Sequence, residues 1–259
     1  IVINPAKIWL VSLSGIFYVP LMTLNLILLL WALKRRSRSF MIPLLALIPS
    51  FFFIGRYVQF NSDEAIDAPV AENTVKILTW NVGRFALHDK AAGVSGISQC
   101  VDSVFTFIKQ QDPDIICLQE FSVGSKEKVR DYLNRKFKGY TAEYYLFPEK
   151  NRSFGNVTLS RLPVDGKGKI KFEESANLAI YTDHTYGDRS FRVYNCHFES
   201  YNISLAGLVR AVAKRDSTVM AETGTKMKRS ITRRPKQVDR VFDDIENCPL
   251  DAFVCGDFN

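Results

Sequence analysis

The first sixty residues consist of two apolar runs separated by a short basic segment. Residues 8–33 carry no charge, and as a helix they would extend about 39 Å, enough to cross a bilayer with some tilt. Residues 39–55 would give about 25 Å, a marginal span. A signal peptide fits poorly, because no basic N-terminal region or small-residue cleavage site accompanies the first run. The pattern therefore predicts two transmembrane helices.

Charge in this part of the chain has one sign. Residues 1–60 contain six basic side chains and no Asp or Glu, and four of the six lie in the segment 34–38 between the apolar runs. Because basic loops of membrane proteins stay in the cytoplasm, this segment is expected inside and everything after residue 56 outside. Residues 1–60 would then be a membrane anchor, with the lipid bilayer as a partner.

A different pattern begins after residue 60. Residues 61–74 are polar and acidic with no apolar period, and we interpret them as a linker. Within residues 75–259 the predicted strands cover 75–80, 115–119, 142–147, 155–160, 169–172, 178–182, 190–197 and 252–256. The predicted helices cover 98–110, 126–137 and a segment that begins at Pro235 and turns Val238, Val241, Phe242 and Ile245 inward. This mixture predicts an α/β domain of stacked sheets with outer helices, not a doubly wound parallel sheet.

Composition narrows the picture only slightly. The net charge of the chain is +7, but removing residues 1–60 leaves 28 basic against 27 acidic side chains, so the high pI says little about nucleic acid. The five cysteines are an odd number without a CxxC pair. Three of them lie in predicted apolar strands, which favours buried free thiols over a disulfide or metal framework.

Four apolar runs end in a polar side chain that could bind metal or phosphate, namely Asn81, Glu120, His197 and Asp257. Because side chains two apart share a face of a strand, Asn195 should point with His197, and Asn259 with Asp257. A carboxylate such as Glu120 offers the hard oxygen that Mg²⁺ prefers. Taken singly, each residue is explained as well by a turn or a strand end. Together they predict a cleft along one rim of the sheets.

The ordered motifs TWN (79–81), LQE (118–120), LSRLP (159–163), NCH (195–197) and GDFN (256–259) resemble those of the endonuclease/exonuclease/phosphatase family. The resemblance covers residues 75–259 and implies a four-layer α/β/β/α sandwich. Two apolar segments followed by such a domain resemble a membrane-anchored bacterial branch of this family. That layout implies an inner-membrane protein with its domain on the periplasmic side.

The resemblance also implies a role for each site residue in a divalent-metal-dependent phosphoester hydrolase. Glu120, helped by Asn81, would hold Mg²⁺ or Mn²⁺. Asp257 would orient or deprotonate the attacking water. His197 and Asn259 would donate hydrogen bonds to the phosphoryl transition state, and Asn195 would support them.

One family motif has no counterpart in these residues. Members carry an Asp-His motif well after GDFN, and the sequence given ends at Asn259. The resemblance therefore implies a domain truncated at its C-terminus and inactive as it stands. His88 and His184 do not replace the motif, because neither follows Ser-Asp and both lie in turn-like segments, where surface histidines are expected.

Two questions stay open from the sequence. The stretch 205–240 carries ten Lys or Arg against three acids, which fits a solvated helical face or mobile loop, or a surface that attracts a polyanionic substrate or anionic headgroups. The substrate itself could be a phospholipid, a small phosphodiester (as for a phosphodiesterase or phosphatase) or nucleic acid (as for a nuclease). No protein partner is predicted. The alternative function is a non-catalytic, membrane-anchored binding module that keeps the fold.

Overall fold

The computed structural model describes residue 15 and residues 17–56, 74–85, 97–124, 128–149, 152–173, 175–201 and 205–259. The chain divides into two compact units, Ile1–Thr74 and Val75–Asn259. All of the predicted linker except Thr74, and most of the first half of the first predicted span, lie outside the described residues, as does His88.

The first unit contains two helices, α1 (Tyr18–Lys34) and α2 (Met41–Phe53). The Tyr18 hydroxyl donates to the carbonyl of Ser50 at 3.0 Å, which ties the two helices together. No helix in the described part of the chain combines the length and the apolar character needed to cross a membrane. The two predicted spans are therefore not supported, and the inner-membrane location stays a prediction.

The first sheet of the second unit has the strand order β1-β2-β4-β3. Its elements along the chain are β1 (Ile77–Asn81), α3 (Ile97–Gln111), β2 (Ile115–Gly124), α4 (Val129–Lys136), β3 (Thr141–Pro148) and β4 (Arg152–Ser160). Strands β1 and β2 are parallel because α3 crosses between them, and the other pairs are antiparallel. The apolar positions of α3 that recur every three or four residues are buried, namely Val101, Val104, Phe105 and Ile108.

The second sheet has the order β5-β6-β7-β8. Its elements are β5 (Gly166–Lys171), β6 (Leu178–Tyr186), β7 (Arg189–His197), α5 (Leu205–Lys214), α6 (Ser217–Glu246) and β8 (Asp251–Asp257). Strands β6 and β7 form a hairpin: Tyr186 pairs with Arg189, and Gly187 takes the positive φ of 64° that the first position of such a tight turn requires. Strand β8 returns parallel to β7.

Three apolar clusters hold the helices and the two sheets of this unit together as layers. Helices α3 and α4 pack on the outer face of the first sheet, where Ile108 and Leu118 are fully buried. Helix α6 packs on the second sheet through Val241. Cys117 of the first sheet and Val193 of the second meet between the sheets. The predicted mixed α/β fold with two sheets is confirmed. Cys100, Cys117 and Cys196 are buried, as expected for such thiols, whereas Cys248 and Cys255 are partly exposed.

Helix α6 differs from the prediction at its start. It begins at Ser217, where Asp216 caps it by accepting from the backbone N–H groups of Thr218 and Val219, so Pro235 lies inside the helix and not at its first position. A proline removes one helical hydrogen bond. The helix continues through it because side chains on both sides are buried, Ile231 before the proline and Val241 after it.

The face that α6 presents to the sheet also differs from the prediction. Val241 is buried, and Val238 and Ile245 pack against the same cluster at the expected spacing. Phe242 is 54% exposed, although it was predicted to face inward. It follows Val241 directly, and successive residues of a helix point about 100° apart, so both cannot face the sheet equally.

His184 is buried, contrary to the prediction of a surface histidine. Strand β6 extends to Tyr186, so His184 shares the inward face with Thr182. The carbonyl of Pro163 can only accept, so Nδ1 donates to it at 3.0 Å, and Nε2 accepts from the Thr182 hydroxyl at 2.8 Å. Burial lowers the pKa of His184 below its ordinary value of 6.5, against smaller raising effects of Pro163, Asp183 and Asp165.

The lowered pKa of His184 predicts a loss of stability in mild acid. Between the folded pKa and the unfolded value of 6.5, the unfolded state binds the proton more readily, so the free energy of unfolding should fall as the pH drops through that window. Urea denaturation at several pH values between 7.5 and 5 measures it. The His184→Gln variant should show a smaller fall. An equal fall in both proteins would contradict the assignment.

Candidate active site

Glu120 lies at an irregularity in β2. The pairing of β2 with β4 shifts register between Leu118 and Phe121, and Glu120 takes a φ of 50°. A positive φ in a residue other than glycine costs about 1–3 kcal/mol, and a bulge of this kind redirects side chains. Gln119 and Phe121 are both buried, whereas the Glu120 side chain stays 29% exposed. The bulge thus turns one carboxylate of a buried strand toward solvent.

The ends of three strands meet the bulge of β2 at this point. Asn81, the last residue of β1, pairs with Gln119 of β2, and His197 pairs with Asp257 where β7 and β8 end. The amide nitrogen Nδ2 of Asn81 donates to Glu120 Oε1 at 3.2 Å and to Asp257 Oδ2 at 2.6 Å. One amide therefore connects a carboxylate of the first sheet with a carboxylate of the second.

Glu120, His197 and Asp257 form a cluster that could hold a metal ion. One ligand atom from each residue lies within 4.8 Å of the other two, and His197 Nε2 is 3.6 Å from Glu120 Oε1. Two carboxylates this close repel each other, and a divalent cation relieves that repulsion. The donor set, two carboxylates and an imidazole, fits such a cation.

Asn81 contributes to the cluster differently from what the sequence predicts. The backbone N–H of Gly83 donates to Asn81 Oδ1 at 2.9 Å, which leaves the amide nitrogen to face the carboxylates. An amide nitrogen is a donor and does not bind cations. In this arrangement Asn81 orients Glu120 and Asp257, and its predicted role as a metal ligand stays a prediction.

His197 is 9% exposed, and its surroundings set its charge. Burial lowers the pKa of His197 below 6.5, and this outweighs the raising effects of Glu120 and Asp257. A neutral imidazole keeps one N–H donor and one acceptor nitrogen. His197 can therefore donate a single hydrogen bond to a ligand in the cleft near neutral pH.

Asn195 lies below the cluster and does not line the cleft. It is fully buried between the sheets, where Oδ1 accepts from Gln119 Nε2 at 2.7 Å and Nδ2 donates to the carbonyl of Val157 at 3.0 Å. Further contacts join Nδ2 to the carbonyl of Leu118 and to Thr158 Oγ1. Asn195 thus connects the two sheets beneath His197, where it can position His197 but cannot contact a ligand in the cleft.

Asn259 lies next to Asp257 but also outside the cleft lining. Its backbone N–H donates to Asp257 Oδ1 at 2.9 Å, and its Nδ2 donates to the carbonyl of Phe198 at 3.1 Å. Both oxygens of Asp257 therefore accept a hydrogen bond from the chain, one from Asn259 and one from Asn81. Asn259 fixes the orientation of this carboxylate.

Two charged residues of the cleft were missed by sequence reasoning. Arg84 takes a φ of 56°, lies 3.9 Å from Glu120 and stacks 3.8 Å above the ring of Phe154. Glu199 is 8% exposed and accepts from Ser175 Oγ at 2.7 Å. Glu199 lies two residues beyond the end of β7, where the alternation of a strand no longer applies. Nothing in the sequence marked Arg84.

Arg84, Glu120, His197 and Glu199 line a cleft of about 630 Å³, and Asp257 lies outside its lining. Arg229 and Arg233 of α6 also line the cleft and approach Glu199 at 3.4 and 3.7 Å. Part of the basic stretch 205–240 therefore faces the cleft and is not simply a solvated helical surface. The cleft combines carboxylates at its base with guanidinium groups at its wall.

The buried network predicts the effect of removing the Asn195 amide. Asn195→Leu should lower the free energy of unfolding by about 1–3 kcal/mol, because it removes the acceptor of the shortest bond from Gln119 Nε2 and the donor to the carbonyl of Val157. The matched control is Asn134→Leu on the exposed face of α4, with an expected change within about 0.5 kcal/mol. Chemical denaturation compares them. Equal stability of the two variants would refute a structural role for Asn195.

Comparison with solved structures finds proteins of similar fold at low identity. Zebrafish (D. rerio) TDP2 humanized by 14 mutations is 18% identical, with a TM-score of 0.46 over 71% of this chain and 66% of that one. The human Nocturnin catalytic domain, solved with a sulfate anion, is 16% identical, with a TM-score of 0.45 over 71% and 64%. A family protein from Leptotrichia buccalis C-1013-b is 14% identical, with a TM-score of 0.38 over 55% and 61%. The chain thus spans less than two thirds of each of these proteins.

Family models assign most of the chain. Residues 1–57 match a domain of unknown function (DUF8431). Among curated proteins, none matches the chain. Residues 78–259 match the model of the endonuclease/exonuclease/phosphatase family. This range contains Asn81, Glu120, His197 and Asp257. This chain therefore belongs to the endonuclease/exonuclease/phosphatase family.

Proposed function

We propose that the complete protein is a divalent-metal-dependent phosphoester hydrolase that directs water onto phosphorus. Members of its family are phosphoester hydrolases. The observation that carries the proposal is the convergence of Glu120, His197 and Asp257 within 4.8 Å at one rim of the two sheets.

The carboxylate of Glu120 would bind the metal, Mg²⁺ or Mn²⁺. Asp257, in the same cluster, would lie beside this ion. When bound, such an ion supplies positive charge that neutralises the phosphate and the leaving oxygen. The partial exposure of Glu120 supports this role, since Mg²⁺ keeps several water ligands and needs open space beside one or two carboxylates.

Asp257 is suited to orient the attacking water and to take its proton. Its two oxygens accept hydrogen bonds from Asn81 and from the backbone of Asn259, so the carboxylate is fixed in direction before substrate arrives. Fixed carboxylates of this kind act as general bases when water lies within hydrogen-bond distance. His197, neutral near pH 7, would donate its N–H to a phosphoryl oxygen.

The wall of the cleft supports a phosphate-bearing substrate. Arg229 and Arg233 belong to α6 and lie beside the buried carboxylate of Glu199. Guanidinium groups bind phosphate through paired N–H donors, so these residues could exchange part of their contact with Glu199 for the substrate. A phospholipid, a small phosphodiester and nucleic acid all carry such a group.

Replacing Glu120 tests the metal site within the complete protein. Glu120→Gln keeps the shape of the side chain but removes the charge that a hard cation requires. Hydrolysis of bis-p-nitrophenyl phosphate in Mg²⁺ should fall by at least about a hundredfold, with partial recovery at high Mg²⁺ and nearly unchanged folding.

The matched control is Glu143→Gln, which removes a strand glutamate paired with Lys167 outside the cleft. Its activity should stay close to that of the unmodified protein. Full activity of Glu120→Gln at ordinary Mg²⁺ would remove Glu120 from the site. A complete protein that hydrolyses no phosphoester under any divalent metal would instead favour a non-catalytic binding module.

A further inference from the structure

A second, smaller pocket lies between the end of β5 and helix α6. Its volume is about 190 Å³, and it is separate from the cluster of Glu120, His197 and Asp257. Six of its lining residues carry a charge or an amide: Lys171, Glu173, Arg233, Lys236, Gln237 and Arg240. We refer to it below as the α6–β5 pocket.

The α6–β5 pocket is strongly cationic. It has four basic side chains and one carboxylate, Glu173. Within the described part of the chain, Lys171, Lys236 and Arg240 form no ion pair. Like charges gathered in one concave site repel each other and raise the local concentration of anions. A cationic ligand is therefore excluded, and an anion is favoured.

Gln237 points to the same conclusion by an independent route. It is 4% exposed, and its Oε1 accepts from the backbone N–H of Glu199 at 2.8 Å. Because the N–H of Glu199 needs an acceptor, the side-chain oxygen of Gln237 must face Glu199, and its Nε2 must point away from Glu199. Nε2 is buried and has no partner among the described residues. Folded proteins rarely leave such a donor unsatisfied, so an external acceptor is expected.

We infer that the α6–β5 pocket binds a phosphate group. Lys171, Lys236 and Arg240 would neutralise its charge, and a phosphate oxygen would accept from Gln237 Nε2 once the side chains that cover this buried atom shift. Phosphate combines several strong acceptors with negative charge, which matches both features of the pocket.

Two sources of phosphate fit this chemistry. Arg233 lines both the α6–β5 pocket and the cleft, and Gln237 bonds to the backbone of Glu199, whose side chain lines the cleft. A substrate with two phosphate groups could therefore occupy both places at once. Alternatively, free phosphate occupies the pocket. The first source rests on the proposed hydrolase function, whereas the site itself does not.

Binding of inorganic phosphate to the complete protein, freed of metal with EDTA, tests the site directly. Isothermal titration should show saturable binding. Gln237→Glu retains an acceptor for the Glu199 N–H but replaces the donor with a carboxylate, so affinity should fall at least about tenfold. Lys236→Gln, at an exposed position, should weaken binding about threefold or more. The control is Lys226→Gln, earlier on α6 and outside the pocket, with unchanged affinity.

Near-ultraviolet circular dichroism shows whether each variant keeps its fold, and Lys236→Gln provides the test if Gln237→Glu does not. Absence of saturable phosphate binding would overturn the inference, because water alone would then satisfy Gln237. Equal affinity in the unmodified protein, Gln237→Glu and Lys236→Gln would overturn it as well, since the bound phosphate would lie elsewhere.

A pair of matched esters separates the two sources. Thymidine 5′-(p-nitrophenyl phosphate) carries one phosphate group, and the same compound with a 3′-phosphate carries two. If the substrate fills the pocket, the ester with two phosphates should have a KM at least about threefold lower than the ester with one in the unmodified protein. In Gln237→Glu the two esters should have equal KM values. In each protein kcat should be the same for the two esters. Equal KM values assign the pocket to free phosphate. Failure to hydrolyse either ester would count against the hydrolase function and leave the titration to decide the site.

Discussion

The contact that organises this protein is the pair of hydrogen bonds from one amide, Asn81 Nδ2, to two carboxylates of different sheets. Glu120 and Asp257 are like charges, and their proximity is unfavourable unless something compensates it. Asn81 supplies two donor contacts, and Arg84 adds a positive charge 3.9 Å from Glu120. In the proposed function a bound cation would relieve the remaining repulsion, so the geometry and the proposed chemistry have one origin.

Holding the carboxylates together requires two sheets fixed in relative position. Gln119 and Asn195 form a buried bridge between β2 and β7, and Asn195 reaches β4 through the carbonyl of Val157. On the other side, Gly256 allows β8 to approach β7 so closely that a Cβ would lie 1.9 Å from the carbonyl oxygen of Cys196. Only glycine fits there, and the close approach places Asp257 beside His197. The strained φ at Glu120 is maintained by this same packing.

Much of this arrangement could be predicted from the sequence, because strands bring their ends to common rims. Apolar runs located Glu120, His197 and Asp257, whereas Glu199 lies beyond the end of β7 and no strand period located it. The bulge at Glu120 and the left-handed backbone of Arg84 could not be predicted, since neither involves glycine. The helix through Pro235 and the burial of His184 depend on packing between segments distant in sequence, which local patterns do not contain. The membrane spans inferred from apolar length are not supported by the described helices.

The most direct test of the central claim is the position of a bound metal in crystals of the complete protein. Crystals soaked in Mn²⁺ should give an anomalous scattering peak at about 2.1 Å from a Glu120 carboxylate oxygen, between the two sheets and beside Asp257. Asn81 should stay outside the first coordination sphere as long as its Oδ1 accepts from the backbone N–H of Gly83, because its amide nitrogen then faces the metal. The account would be contradicted if an ordered Mn²⁺ bound elsewhere while no ion lay between Glu120 and Asp257, which would then be connected only by the hydrogen bonds from Asn81.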